Sequence, residues 1–242
     1  MQNTSHAVMA QRNEPMDSAD DFPTPPWATR ALPEYVLNSR EPLATMTCLE
    51  PACGAGHMAK ALGEYFRSVD ASDVHDYGYG TRRDFLTYPF ETHSFDWVIT
   101  NPPFRLSEEF VLKALTIARR GVAILARTVF LESVGRYERL FQRRPPTKFA
   151  QFTERVPMLR GRLDRKGSTA TGYAWLVWEA NEANGPQLMW VPPCRKRLER
   201  DADYPGHVSF ASKRCIPSSS SLIASATPAS PLSFRAANAS SA

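Results

Sequence analysis

Apolar residues cluster in short runs between about residues 17 and 200, with longer stretches between the runs in which apolar positions recur three and four apart. The runs "TMTCLE" (45–50), "VDASDV" (69–74), "FDWVIT" (95–100) and "GVAILAR" (121–127) are rich in β-branched or aromatic residues and predict strands. The stretches "TPPWATRALPEYVL" (24–37), "HMAKALGEYF" (57–66) and "SEEFVLKALTIARR" (107–120) carry helical spacing. In the last of these Ser107 is the predicted N-cap, Glu108 and Glu109 suit the positive end of the helix dipole, and Arg119 and Arg120 suit the negative end. Gly121 is the expected stop between helix and strand. "RRDFLTYPF" (82–90) is a weak strand or a loop. "KFAQFTERVPML" (148–159) and "TGYAWLVWEA" (171–180) are late strands without a helix between them. Strands alternating with helices predict an α/β fold, a mostly parallel sheet with helices on both faces. The last two strands predict an antiparallel hairpin at one edge.

The ends lack this pattern. Residues 1–16 are expected to be flexible, 17–200 to form one domain, and 201–242, rich in Ser and Ala, to be largely disordered. The N-terminal segment has no basic stretch leading into an apolar core, and no run of about 18 apolar residues occurs, so a cytoplasmic protein without a membrane span is expected. Cys48, Cys53, Cys194 and Cys215 make no C-x-x-C pair and have no nearby histidines at metal-ligand spacing, so no metal is expected.

The formal net charge of +4 conceals an uneven distribution. Residues 1–118 carry −7, residues 119–200 carry +10, and the remainder carries +1. A basic second half suits a polyanionic partner, and a solvated charged face is the alternative. The basic stretches "RYERLFQRRPPTK" (136–148) and "RGRLDRKGSTA" (160–170) could hold phosphates without reading bases, with Arg143, Arg144, Lys148, Arg160, Arg162, Arg165 and Lys166 as the candidate contacts.

Two places carry candidate chemistry. In "LEPACGAG" the first strand gives way to a helix, and Gly54 and Gly56 allow a tight turn and close approach of a ligand. Ligands bind open sheets of this kind at the strand C-termini. Asp73 ends the next strand, 17 residues after Gly56, where an acid accepts hydrogen bonds from ribose hydroxyls. "GAGHMA" also fits the loose G-x-G-x-x-G/A pattern of dinucleotide sites. Glu50, just before the turn, would repel a pyrophosphate and suit a cationic ligand such as an ammonium or sulfonium. The second place is "NPPF" (101–104). Pro102 and Pro103 donate no hydrogen bonds and fix φ, so a strand ending there presents the Asn101 amide, backbone carbonyls and the Phe104 ring at the ligand rim. A planar amine with two N–H donors fits such acceptors, and Phe104 offers a stacking surface for its ring.

These residues resemble a known family. "NPPF" resembles the catalytic motif of S-adenosylmethionine-dependent amino methyltransferases, above all the N6-adenine DNA methyltransferases. "LEPACGAG" resembles their cofactor motif, "TPPW" (24–27) resembles the Thr-Pro segment that precedes it in one motif order, and Asp73 and Asp84-Phe85 fall between in sequence. The resemblance covers roughly residues 20–180, and the compact layout is most similar to stand-alone, phage-type enzymes. It implies a Rossmann-like methyltransferase fold and methyl transfer from S-adenosyl-L-methionine to the N6 amine of adenine in DNA. It further implies that Thr24, Glu50, Pro51, Cys53, Gly54 and Gly56 line the cofactor site. Asp73 would hold the ribose, and Asp84 and Phe85 the adenine of the cofactor. Asn101, Pro102, Pro103 and Phe104 would hold the target base. RNA adenine, a protein glutamine, or a catalytically silent nucleic-acid-binding protein of the same fold are the alternatives. His57 reads as a surface residue at a helix N-terminus, His75 as a loop residue, and "RKRLER" (195–200) as a solvated helix end.

Overall fold

The computed structural model describes residues 20–37, 41–180 and 185–204. The expected flexible N-terminus, Cys215 and all but the first four residues of the expected 201–242 tail lie outside the described residues. Among the described residues eight strands form one sheet: β1 Thr47–Glu50, β2 Ser68–Asp73, β3 Thr81–Arg82, β4 Phe95–Thr100, β5 Ala118–Arg127, β6 Lys148–Phe152, β7 Tyr173–Glu179 and β8 Gln187–Val191. The helices are α1 Pro26–Tyr35, α2 His57–Leu62, α3 Ser107–Ile117, α4 Val134–Arg136, continued by a π-helical turn Tyr137–Phe141, and α5 Arg195–Leu198. The sheet order is β3-β2-β1-β4-β5-β7-β6-β8. All neighbours run parallel except β7, which is antiparallel to both β5 and β6.

The predicted antiparallel pair is therefore present, but not at the edge. β8 lies outside it, parallel to β6, with Phe149 opposite Leu188 and Gln151 opposite Trp190. The apolar pattern gave no sign of β8, because Leu188 and Trp190 are both exposed there.

Two apolar layers cover the sheet. α1, α2 and α5 pack Trp27, Leu32, Leu62 and Leu198 on one face, over Cys48, Ile99, Leu125 and Trp175. α3 and the segment around Leu140 cover Leu49, Val98, Ile124 and Leu176 on the other. Helices on both faces thus follow from strands that are apolar on both faces.

Arg119 and Arg120 do not end α3. They lie in β5, and both reach Asp96 Oδ1 of β4, at 3.1 Å and 3.2 Å. Asp96 also accepts from the Thr47 amide and hydroxyl, so one carboxylate joins the starts of β1, β4 and β5. Gly121 is likewise inside β5, opposite Trp97. A Cβ there would come within 2.6 Å of the Trp97 ring, so the glycine serves strand packing rather than a helix stop. Ser107 sits inside α3, whose N-cap position is Leu106. Its hydroxyl donates to the carbonyls of Pro103 and Phe104 and fastens the NPPF turn to the helix.

Among the described residues no helix is long and apolar enough to cross a membrane, and no group of His, Cys, Asp or Glu could hold a metal ion.

Candidate functional site

The chain runs from β1 outward to β2 and β3, then returns to place β4 on the other side of β1. Such a reversal opens a crevice at the strand C-termini, where the two connections part. Glu50 closes β1, Asp73 closes β2, and Asn101 follows the last residue of β4, so these three side chains meet at that crevice. It is an open cleft, walled also by Asp21, Phe22, Pro23, Thr24, Ala52, Cys53, Gly54, Ala55, His57, Met58 and Tyr77.

The glycine turn is built from the sequence as expected. Gly54 and Gly56 adopt positive φ of 50° and 79°. At Gly56 a Cβ would lie 2.4 Å from the Tyr79 ring, so both the backbone and its neighbour exclude a side chain. Asp73 locks the turn from below. One of its carboxylate oxygens accepts from the Gly54 amide and the other from the His75 amide, each at 2.9 Å. Its role is therefore partly architectural, in addition to any ligand contact through its remaining lone pairs. Pro51 is buried beneath the turn, and Pro51 and Gly56 are not in the cleft wall.

Glu50 is 2% exposed and its Oε2 has no partner. Burial, and then the negative charge of Asp73, push its carboxyl well above the usual glutamate range. Burial and the same two acids push the Cys53 thiol to about 12. Asp21 and Tyr77 are shifted upward, first by burial and then by neighbouring acids. The cleft thus gathers acids whose ionisation is disfavoured there, and a positively charged ligand group would favour their charged forms.

Asn101 has one defined orientation. Its Nδ2 donates to the Phe22 carbonyl at 2.9 Å, which turns Oδ1 into a buried acceptor without a partner. The amide of Phe104 donates to Asp20 Oδ2 at 2.6 Å. Phe22 and Phe104 rings lie 5.3 Å apart. The segment 20–24 therefore straps the NPPF turn. Pro102 is buried, and the Pro103 carbonyl accepts from Leu106 and Ser107, so it is committed to the entry of α3.

Sequence reasoning missed Asp20, Asp21, Phe22 and Tyr77, and it placed His57 on the surface. His57 lines the cleft, and burial and then Lys60 lower its pKa. The signal for the strap was the acidic pair and aromatic residue immediately before Thr24.

Other expected residues are elsewhere. Phe85 is 2% exposed in the core against Phe110 and Phe90, so it is a packing residue. Asp84 is exposed outside the cleft wall and accepts from the Leu86 amide in a local turn. Lys148 is buried and ion-paired with Glu179 at 2.6 Å, so it belongs to the strand pairing and not to a phosphate surface. Because β6 runs parallel to β5, its first residue lies at the sheet edge opposite the cleft, and Arg143 and Arg144 precede it. The loop between β6 and β7 lies on the cleft edge, where the Gly161 amide donates to the Asp21 carbonyl. Arg160, Arg162, Arg165 and Lys166 are therefore on the cleft's side of the sheet. Arg165, however, is engaged by Asp201 at 2.6 Å and Glu199 at 3.5 Å.

No family model matches the chain, and no curated protein matches it in sequence. Its fold does match solved structures. A Listeria monocytogenes protein assigned as a class I S-adenosylmethionine-dependent methyltransferase aligns with a TM-score of 0.50 and 13% identity over 72% of this chain and 67% of its own. The modification subunit assigned to a type I restriction enzyme of Vibrio vulnificus aligns with a TM-score of 0.52 and 14% identity. That alignment covers 74% of this chain and 49% of the subunit, so the chain spans about half its length. At such identities the likeness speaks for architecture: the chain has the Rossmann-like fold of these methyltransferases, with its antiparallel strand β7 set into an otherwise parallel sheet.

Proposed function

We propose that the protein is an S-adenosyl-L-methionine-dependent methyltransferase that acts on the exocyclic N6 amine of adenine in DNA. The observation that carries this reading is the Asn101 side chain. Its amide nitrogen is tied to Phe22, and its oxygen is a buried, unpartnered acceptor in the cleft that Glu50 and Asp73 share. A planar amine offers the missing donor.

The residues fit the cofactor. The orphaned Glu50 carboxylate suits a cationic group, the Gly54–Gly56 turn admits close backbone approach, and Asp73 retains lone pairs for hydroxyls. When bound, S-adenosylmethionine supplies an electrophilic methyl group on a sulfonium. The chain's own part is to bind and orient. Asn101 accepts one amine hydrogen and thereby aims the nitrogen lone pair, a positioning effect rather than acid–base catalysis. Phe22 packs against Phe104 and backs the ring on which the target base would stack. The likeness to a restriction enzyme's modification subunit supports DNA as substrate, and so does the basic loop beside the cleft.

Labelled methyl transfer to DNA, RNA and protein pools tests the reading. Label in N6-methyladenine of DNA is the expected result. Label in RNA or protein would move the substrate to that pool, and no transfer to any pool, with cofactor bound, would leave a silent binding protein.

A further inference from the structure

Arg127 is the last residue of β5 and half-buried, and its guanidinium lies 4.2 Å from the centroid of the Phe104 ring. Among the described residues every other arginine that is not exposed has an acceptor: Arg30 has Glu64 and Asp203, Arg83 has Asp70, Arg120 has Asp96 and Glu41. Arg136 has the Phe130 carbonyl, and Arg195 has Glu199. Arg127 has neither a carboxylate nor a carbonyl among the described residues; its partner is the Phe104 ring. Partly desolvating a charge without a counter-ion is costly, and a cation–π contact returns only part of that cost. The fold nonetheless places this cation beside the cleft. β4 and β5 are paired with Thr100 opposite Ile124, so Asn101 and Arg127 leave adjacent strands at the same edge. Arg127 is also paired with Tyr173, at the end of the basic loop 160–172.

We propose that Arg127 recognises a phosphate of the substrate and that its ring contact is a resting position. A nucleotide entering the cleft would lay its base on Phe104, and the displaced guanidinium would take the phosphate as a bidentate partner. An uncharged amine such as a protein amide would displace the guanidinium and offer it nothing, so the same residue selects nucleic acid. The proposal rests on the methyltransferase reading for the role of Phe104, but phosphate binding by Arg127 can be measured without turnover.

The test uses the full chain, short adenine-containing single-stranded oligonucleotides of DNA and of RNA, and S-adenosylhomocysteine. Arg127→Ala should weaken oligonucleotide binding at least about 10-fold and lower the magnitude of the log–log salt slope by about 0.7, the value for one phosphate contact on a single strand. S-adenosylhomocysteine affinity should not change. Arg127→Lys keeps a point charge without the planar fork, so it should keep the salt slope and recover part of the affinity. If Arg127→Ala does not fold, Arg127→Gln gives the same reading, with folding checked by cofactor affinity. An effect confined to DNA or to RNA supports the proposal and names the polynucleotide. Unchanged affinity and slope for both oligonucleotides would overturn it. Wild-type protein that binds S-adenosylhomocysteine but neither oligonucleotide also overturns it, and leaves the cofactor reading standing. Binding of oligonucleotide but not S-adenosylhomocysteine, still dependent on Arg127, supports the phosphate role and removes the cofactor reading instead.

Discussion

Glu50 is buried and Asn101 half-buried, each leaves one buried oxygen unsatisfied, and each such atom costs stability unless a ligand completes it. For Glu50 the cost is charge. Its folded pKa is raised above the usual 4.5, so above about pH 4.5 the fold holds a proton that the unfolded chain has released. Stability must then fall as pH rises from 4.5 through the folded value. Glu50→Gln removes this titration. At pH 7.5 the ligand-free variant should melt above wild type by about 2–4 °C, the shift that 1 kcal/mol gives a domain of this size. The difference should vanish towards pH 4, and S-adenosylmethionine should bind more weakly by about 1.5–3 kcal/mol, the worth of a hydrogen bond to a charged group. Thermal melts across pH and calorimetry check both. A variant less stable than wild type at pH 7.5 would mean that Glu50 is already satisfied. Asn101→Ala removes the orphaned acceptor together with the tie to Phe22. Methyl transfer should fall by roughly 100-fold or more, while cofactor affinity falls little. These two residues were legible because strand ends and proline turns mark themselves in sequence. Phe85 was not, since an aromatic beside an acid has the same letters in a core as on a ligand, and only packing against Phe110 decides it.

At the level of elements, the β1–α2 turn depends on two glycines for different reasons. Gly54 has open surroundings, with Asp21 Oδ1 the nearest atom to a Cβ at 3.8 Å, whereas the Gly56 position meets the Tyr79 ring at 2.4 Å. Gly54→Ala should therefore cost only the left-handed backbone, about 1–2 kcal/mol. Gly56→Ala should cost distinctly more in denaturant midpoint, and Tyr79→Ala in the same chain should restore part of the stability but not the backbone share. Equal costs for both glycines would show that the Tyr79 contact relaxes freely. The turn, the strands around it and the helix order were readable from pattern because each is apolar on the faces it buries. Two boundaries were not. "ARR" after α3 resembles a helix end in charge, yet its partner Asp96 lies on another strand, more than twenty residues earlier in the sequence. β8 has its large apolar residues facing solvent, so burial left no periodic trace there.

Taken whole, the molecule uses its charge twice, once to hold itself together and once to face outward. The segment 198–204 is fastened by Arg30, whose guanidinium binds Glu64 and Asp203 at 2.8 Å each, with Asp203 6% and Arg30 4% exposed. The expectation of a solvated end at 195–200 missed this, because the donor is Arg30 of α1, far earlier in the sequence, which also donates to the Leu198 carbonyl. Arg30→Ala strips the buried Asp203 of its guanidinium, while Glu64 keeps Arg200 at 3.0 Å, and should destabilise by about 3–5 kcal/mol, read as a lowered denaturant midpoint. The outward charge divides by strand direction. Arg162 and Lys166 are exposed on the loop at the cleft edge, and Arg143 and Arg144 are exposed at the opposite edge, before β6. Composition could show the basic half but not this division, since it arises only when β7 runs against β5 and β6. A duplex presented to the cleft reaches the first pair and not the second. Arg162→Ala with Lys166→Ala should weaken duplex binding alike for every sequence and lower the salt slope by up to about 1.8, which is 0.9 for each phosphate that the variant no longer neutralises. Arg143→Ala with Arg144→Ala should leave affinity and slope unchanged, although the two pairs remove the same net charge. That equality makes the comparison decisive: a general electrostatic attraction would respond equally to both, and equal weakening would show that DNA does not approach through the cleft edge.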